Sequence, residues 1–239
     1  MITGGVSDSD EKGEPGVLRM PPEIIKAACA EAHKLGYKVA AHVEGTSGLK
    51  PALENGVDTI EHGGTPTEEI IQLFKEKGAA DVLTLSPVIP YAVFDLEESG
   101  TIPEMKYNGR MVMDGMINCA KACLENDIPV GLGNDVSCPF ITRYNFWREL
   151  HYFHKYCGVS KSFVLYTATL GNAKIIGLDD VTGSIEKGKS ADMIVAKGNP
   201  LEDFAALKDL SMVIMKGRQI NNIKIKKRDD VDALLDKYM

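Results

Sequence analysis

Apolar positions along this chain recur at two alternating spacings. Ile24, Ile25, Ala28, Cys29 and Ala32 fall at helical intervals behind Pro22, a residue suited to a helix's first turn, and Gly36 closes the segment. Residues 38–43 (KVAAHV) then run almost continuously apolar, which predicts a strand buried on both faces. A short helix over 49–54 leads through Asn55-Gly56 to the strand VDTIEH, and a helix over 67–77 leads through Gly78 to the strand DVLTLS. Residues 86–107 hold three prolines and several acidic residues and predict a long loop, a type that is usually functional or mobile. A helix over 110–126 feeds the strand IPVGLG, and helices near 142–157 and 160–174 follow. Strand and helix alternate at spacings that predict βα units around a parallel sheet, an α/β fold.

The rhythm changes after Gly177. GSIEKGKSADMIVAKGNP reads as turn, strand and turn, and SMVIMKGRQI continues as a hairpin with Gly217 at its tip. This predicts a small β-region beside the α/β body. The tail IKIKKRDDVDALLDKYM reads as a charged strand end and a short amphipathic helix, with the basic run Lys224–Arg228 as a solvated strand edge.

Composition narrows the function classes. The chain has 239 residues, 44% hydrophobic and 26% charged, enough for one large domain or one domain with a small companion. Its net charge of −7 argues against nucleic acid or an anionic membrane as the main partner. No apolar run approaches the roughly 18–20 residues of a membrane span. The opening MITGGVSDSDEKGEPG has no basic segment followed by an apolar one, so a cytoplasmic protein without a signal peptide is expected. The five cysteines, Cys29, Cys119, Cys123, Cys138 and Cys157, show no zinc-ribbon spacing. Cys119 and Cys123, four apart on one helix, read as two small buried side chains.

The chemistry gathers at strand ends. His42, His62 and Asp135 each close a predicted strand, and the C-terminal ends of parallel barrel strands are where active sites are built. Two imidazoles and a carboxylate converging there point to one divalent metal, zinc by default, and to a hydrolysed small-molecule substrate. Asp135 would add a hard oxygen donor and a base that takes a proton from water and returns it to a leaving nitrogen. Glu61, next to His62, is expected to point away from it by strand alternation and to serve in a salt bridge. His151 and His154 lie three apart on a helix face, but no third ligand is evident, so both read as ordinary helix residues. Gly4-Gly5 and Gly131-x-Gly133 fit no nucleotide fingerprint and read as tight strand ends near a site.

AHVEGTSGLKPALENGVDTIEHG, GLGNDVS and GLDDVTGSIEKGKSADMIVAKGNPLEDF, in this order and spacing, resemble the amidohydrolase superfamily, on its imidazolonepropionase-like and prolidase-like branch. The resemblance implies a metal-dependent-hydrolase (β/α)8, TIM-like barrel with a small β-sandwich domain. His42 would end barrel strand five, His62 strand six and Asp135 strand eight. The two histidines would hold one metal, while Asp135 would hold the other and accept the proton of the attacking water. The implied activity is hydrolysis of C–N bonds in amides, cyclic amides or dipeptides. The implied layout is a partial barrel over 1–178, a β-sandwich portion over 179–225 and a charged tail over 226–239.

The departures are specific. The family's strand-one His-x-His is absent, and the bridging lysine of strand four should lie just before Thr3-Gly4-Gly5. Glu44 stands where many relatives carry a histidine. The expectation is therefore a C-terminal portion, strands five to eight, able to hold one metal ion at most. Its alternative role is an inactive remnant or a half-barrel subunit that needs an N-terminal partner. Exposing roughly 1,000 Å² of apolar core would forfeit about 25 kcal/mol, against a net domain stability of about 5–15 kcal/mol. Open strand edges add to this tendency to pair. The chain is expected to self-associate or to pair with a missing N-terminal half, and light scattering should report a species larger than a compact monomer.

Overall fold

The computed structural model describes residues 1–9, 13–221 and 224–239. Asp10–Lys12 of the N-terminal loop and Asn222 and Ile223 of the tail lie outside the described residues. Two compact units are present, Met1–Gly133 and Asn134–Met239.

The first unit is a four-stranded parallel sheet, β1 (Ala40–Glu44), β2 (Thr59–Gly63), β3 (Ala80–Leu83) and β4 (Val130–Leu132), paired in sequence order. The preceding helix is α1 (Pro22–Lys34), and the crossovers are α2 (Thr46–Glu54), α3 (Glu68–Lys77) and the long α6 (Pro103–Glu125). Helix α3 starts where Thr67 accepts a hydrogen bond from the Ile70 N–H and stops at Gly78, whose φ of 62° is the left-handed cap conformation. The covered face of the sheet is dry: Val43, Ile60 and Leu83 pack with Leu49, Leu53, Phe74 and Met116, all fully buried. Gly48 allows α2 this close to the sheet, since a Cβ there would come within 2.8 Å of Val43 Cγ1.

Three sequence expectations change here. Strand β1 is not buried on both faces: Ala40 is exposed, and His42 and Glu44 are half-buried on the opposite face from Val43. The segment 86–107 is mostly helical rather than a loop, with α4 (Ile89–Ala92), α5 (Leu96–Ser99) and the start of α6. Pro90 and Pro103 stand in the first turns of their helices, where a missing N–H costs nothing, so they start helices instead of breaking them. The basic run Lys224–Arg228 carries no strand.

The second unit packs α7 (Phe146–Cys157), α8 (Lys161–Tyr166) and α9 (Asn172–Ile176) with a three-stranded antiparallel sheet. Its strands are β5 (Met193–Ala196), β6 (Leu210–Met215) and β7 (Arg218–Gln219), and Lys216-Gly217 form the hairpin tip at φ 51° and 74°. The helix expected over 160–174 is broken by a π-helical segment, Thr167–Gly171. There the Thr169 hydroxyl donates back to the Leu165 carbonyl at 2.7 Å and competes with the main-chain ladder.

The C-terminal helix α10 (Asp229–Lys237) is held by polar contacts. Arg148, only 2% exposed, donates to Asp236 at 2.7 Å and faces Asp232 at 3.7 Å. Asn145 and Tyr144 also donate to the Asp232 carboxylate. Arg148 Nε and Nη1 have no partner among the described residues, so this guanidinium depends on its acidic neighbours. Asp232→Ala should cost about 2–3 kcal/mol in urea unfolding and expose the α10 amides to hydrogen exchange.

Candidate metal centre

The parallel register pairs His42 with Glu61 and Val43 with His62. Register partners in a parallel ladder share a face, so regular alternation would put His62 with buried Val43, away from His42. His62 instead takes φ 81°, a left-handed conformation that is uncommon outside glycine. The turn in the backbone brings the two imidazoles edge to face, with ring centroids 4.5 Å apart and planes at 73°. Alternation from His62 therefore does not set the direction of Glu61, whose Oε1 accepts the Thr59 hydroxyl at 2.6 Å.

Glu44 completes the cluster. It lies two residues beyond His42 in β1 and so shares its face. Ligating atoms of His42, Glu44 and His62 all lie within 4.8 Å of one another. The surroundings fix each member. Thr84 Oγ1 is 2.5 Å from His62 Nδ1, so a metal would meet Nε2, and His62 is only 4% exposed. His42 Nε2 lies 3.3 Å from the Gly4 carbonyl.

The N-terminal loop frames this side. Ile2 N–H donates to the His42 carbonyl at 3.0 Å and Glu44 N–H to Thr3 Oγ1 at 2.8 Å, so the first residues run beside β1. A Cβ on Gly5 would sit 2.6 Å from Glu44 Oε2, and one on Gly16 would sit 1.4 Å from the Glu44 carbonyl oxygen. Gly16, where a Cβ would clash with backbone, is what allows the loop to lie over the strand end. Asn108 of α6, itself buried, secures the loop by donating to the Val6 carbonyl and to Ser9 Oγ.

Two imidazoles and one carboxylate with donor atoms this close fit a divalent ion, since a His2Glu set with an open position is a known catalytic zinc arrangement. Asp135 belongs to the second unit. It is exposed, has φ 46°, and accepts a hydrogen bond from the Cys138 thiol at 3.3 Å. Ser137 and Phe140 share positive φ values, so strained backbone gathers after β4 as it does at His62. His154 Nδ1 pairs with the Val159 carbonyl at 2.6 Å, and burial followed by the Lys155 charge holds the His151 pKa down.

Glu44 and Thr84 were not singled out as ligand and support from the sequence. The strand expected over 38–43 stops one residue short of Glu44, whereas β1 runs through it. Its position two residues after His42 was the available signal. Thr84 gave none beyond lying at the end of the next strand.

Residues 3–220 match the Amidohydrolase family. The chain belongs to that family. It is similar to the crystal structure of a candidate prolidase from Bifidobacterium longum, with TM-score 0.92 and 36% identity over 99% of this chain and 58% of that one. A Xaa-Pro dipeptidase crystallised with methionine in its active site gives TM-score 0.78 and 29% identity, over 92% of this amidohydrolase chain and 53% of the other. The ochratoxinase of Aspergillus niger is 26% identical over 223 residues, 92% of this chain and 45% of that protein. The chain thus spans about half the length of the relatives it matches. No described helix is long and apolar enough to cross a membrane.

Support around a ligand orients it. Thr84→Val should weaken metal binding about 10- to 100-fold, read by calorimetric titration, and leave the far-ultraviolet circular dichroism spectrum unchanged.

Proposed function

We propose that this chain carries the metal-binding half of an amide hydrolase that acts on dipeptides or other small amides, with His42, His62 and Glu44 as ligands. The observation that carries the reading is the convergence of the two imidazoles at the ends of adjacent parallel strands, produced by the reversed φ of His62. Membership of the Amidohydrolase family and likeness to prolidase structures and to ochratoxinase support the bond class.

When bound, a divalent ion supplies Lewis acidity, acidifying water and polarising a carbonyl. The chain's own residues do the rest. Thr84 holds the His62 ring, Gly5 and Gly16 hold the loop against Glu44, and Asp135 is the proposed proton acceptor and further ligand. Cys138 positions its carboxylate. Asp135 would take a proton from the attacking water and return it to the leaving nitrogen as the C–N bond breaks. Zinc is the proposed metal. The proposed layout is a barrel portion, strands five to eight, over 1–178, a β-sandwich portion over 179–225 and a tail over 226–239.

A second reading is a half-barrel subunit that works only with an N-terminal partner or with a second copy. The observation favouring it is the open face of β1, where Ala40 is exposed and His42 is half-buried.

The test combines metal content with hydrolysis. Protein purified without chelator should hold about one ion more per chain than the His42→Ala/His62→Ala variant. Metal-loaded chain should cleave a dipeptide with C-terminal proline, and Asp135→Asn should lower kcat about 10²- to 10⁴-fold. Equal metal in the histidine variant overturns the ligand assignment, and a fully active Asp135→Asn protein overturns the mechanism. Hydrolysis that appears only after adding an N-terminal half selects the second reading.

A further inference from the structure

A second group of ligating side chains lies in the first unit, on the far side of the sheet from the histidines. Asp81 of β3 and Cys119 and Cys123 of α6 are all fully buried, and their donor atoms lie within 4.8 Å of one another. The two cysteines are one helical turn apart and face the strand together. Neither oxygen of Asp81 has a hydrogen-bond partner among the described residues. An unpartnered buried carboxyl is costly, and a native structure normally provides something for it to meet.

From this juxtaposition we infer that Asp81, Cys119 and Cys123 form a binding site for a thiophilic divalent cation such as zinc, separate from the His42–Glu44–His62 centre. Sulfur donors select soft or borderline metals, and a carboxylate completes a three-ligand set drawn from one strand and one helix. Burial pushes the Asp81 carboxyl well above the usual carboxylate range, and the neighbouring Cys119 thiol adds to this. The hydrogen bond with Cys123 and burial raise the Cys119 thiol likewise, while the Gly64 N–H works in the opposite direction by favouring its thiolate.

The charge balance is simple. The ion displaces the protons of Asp81, Cys119 and Cys123 to solvent, so one carboxylate and two thiolates around a divalent cation leave a single negative charge on the pocket, with three protons released for one ion bound. Gly63 lies against this cluster. A Cβ on Gly63 would lie 2.9 Å from Asp81 Oδ1 and 3.1 Å from Cys119 Sγ. Gly63, Gly64 and Gly115 also line a cavity of about 100 Å³, so Gly63 borders both and has no side chain to separate them. Because Gly63 follows His62, the ion would tie β3 and α6 together directly behind the histidine centre.

Cobalt(II) distinguishes the two sites, because only thiolate ligands give a sulfur-to-cobalt charge-transfer band in the near ultraviolet. The whole chain is titrated with cobalt and then displaced with zinc. The band should form in the wild type, in Cys138→Ser and in His42→Ala/His62→Ala, and should be lost in Cys119→Ser and in Cys123→Ser. Asp81→Asn keeps both thiols and nearly the same volume, and it should weaken cobalt binding at least about tenfold, or about 1.4 kcal/mol. A wild type without the band, or a band that survives in folded Cys119→Ser and Cys123→Ser proteins, overturns the inference. If the serine variants do not fold, an unchanged cobalt affinity in Asp81→Asn overturns it. Failure of the histidine centre would leave the band in place, so the two assignments are tested independently.

Discussion

The parallel ladder between β1 and β2 is the constraint on which the site depends. It fixes His42 opposite Glu61 and Val43 opposite His62 to within one residue. A slip of one position would exchange the faces of every side chain in β1, moving Val43 out of the core and His42 and Glu44 into it. Register is therefore held by burial of Val43 and Ile60, and His42 and Glu44 are carried on the other face of β1. The backbone of His62 departs from this regularity, and that departure makes the pair.

The surroundings explain how the departure is tolerated. A positive φ at a non-glycine residue costs of order 1–3 kcal/mol and persists only where neighbours over-determine it. Gly63 follows at once and has φ 90°, so the strand ends in two successive residues of unusual conformation. The Thr84 hydroxyl holds the turned imidazole from the next strand. The N-terminal loop closes the opposite side, where Gly16 brings backbone against the Glu44 carbonyl at a distance no side chain would allow. Support thus comes from two chain segments remote in sequence, Thr84 and the N-terminal loop.

Much of this architecture was legible in the order of residues. The spacing of Ile25 and Cys29, the helix begun near Thr67, the stop at Gly78 and the tip at Gly217 each found their element. The prolines of 86–107 misled, because the same residue that interrupts a helix also begins one, and position in the turn decides. The side-chain bond of Thr169 to Leu165, which opens α8–α9 into a π-helical segment, is local but depends on a rotamer that composition does not state.

What the sequence by itself determined is the alternation of strand and helix, the parallel sheet, the family, and the two histidines at strand ends, since these follow from periodicity and from motifs contiguous in the chain. What only the tertiary structure decided is which groups meet. Glu44 joins the histidines because β1 extends through it, Thr84 supports His62 from a neighbouring strand, and Asp81 meets two cysteines of α6 across the covered face of the sheet. Such meetings depend on register and on one reversed dihedral. A linear pattern specifies which face a residue prefers, but not what the opposing element places there.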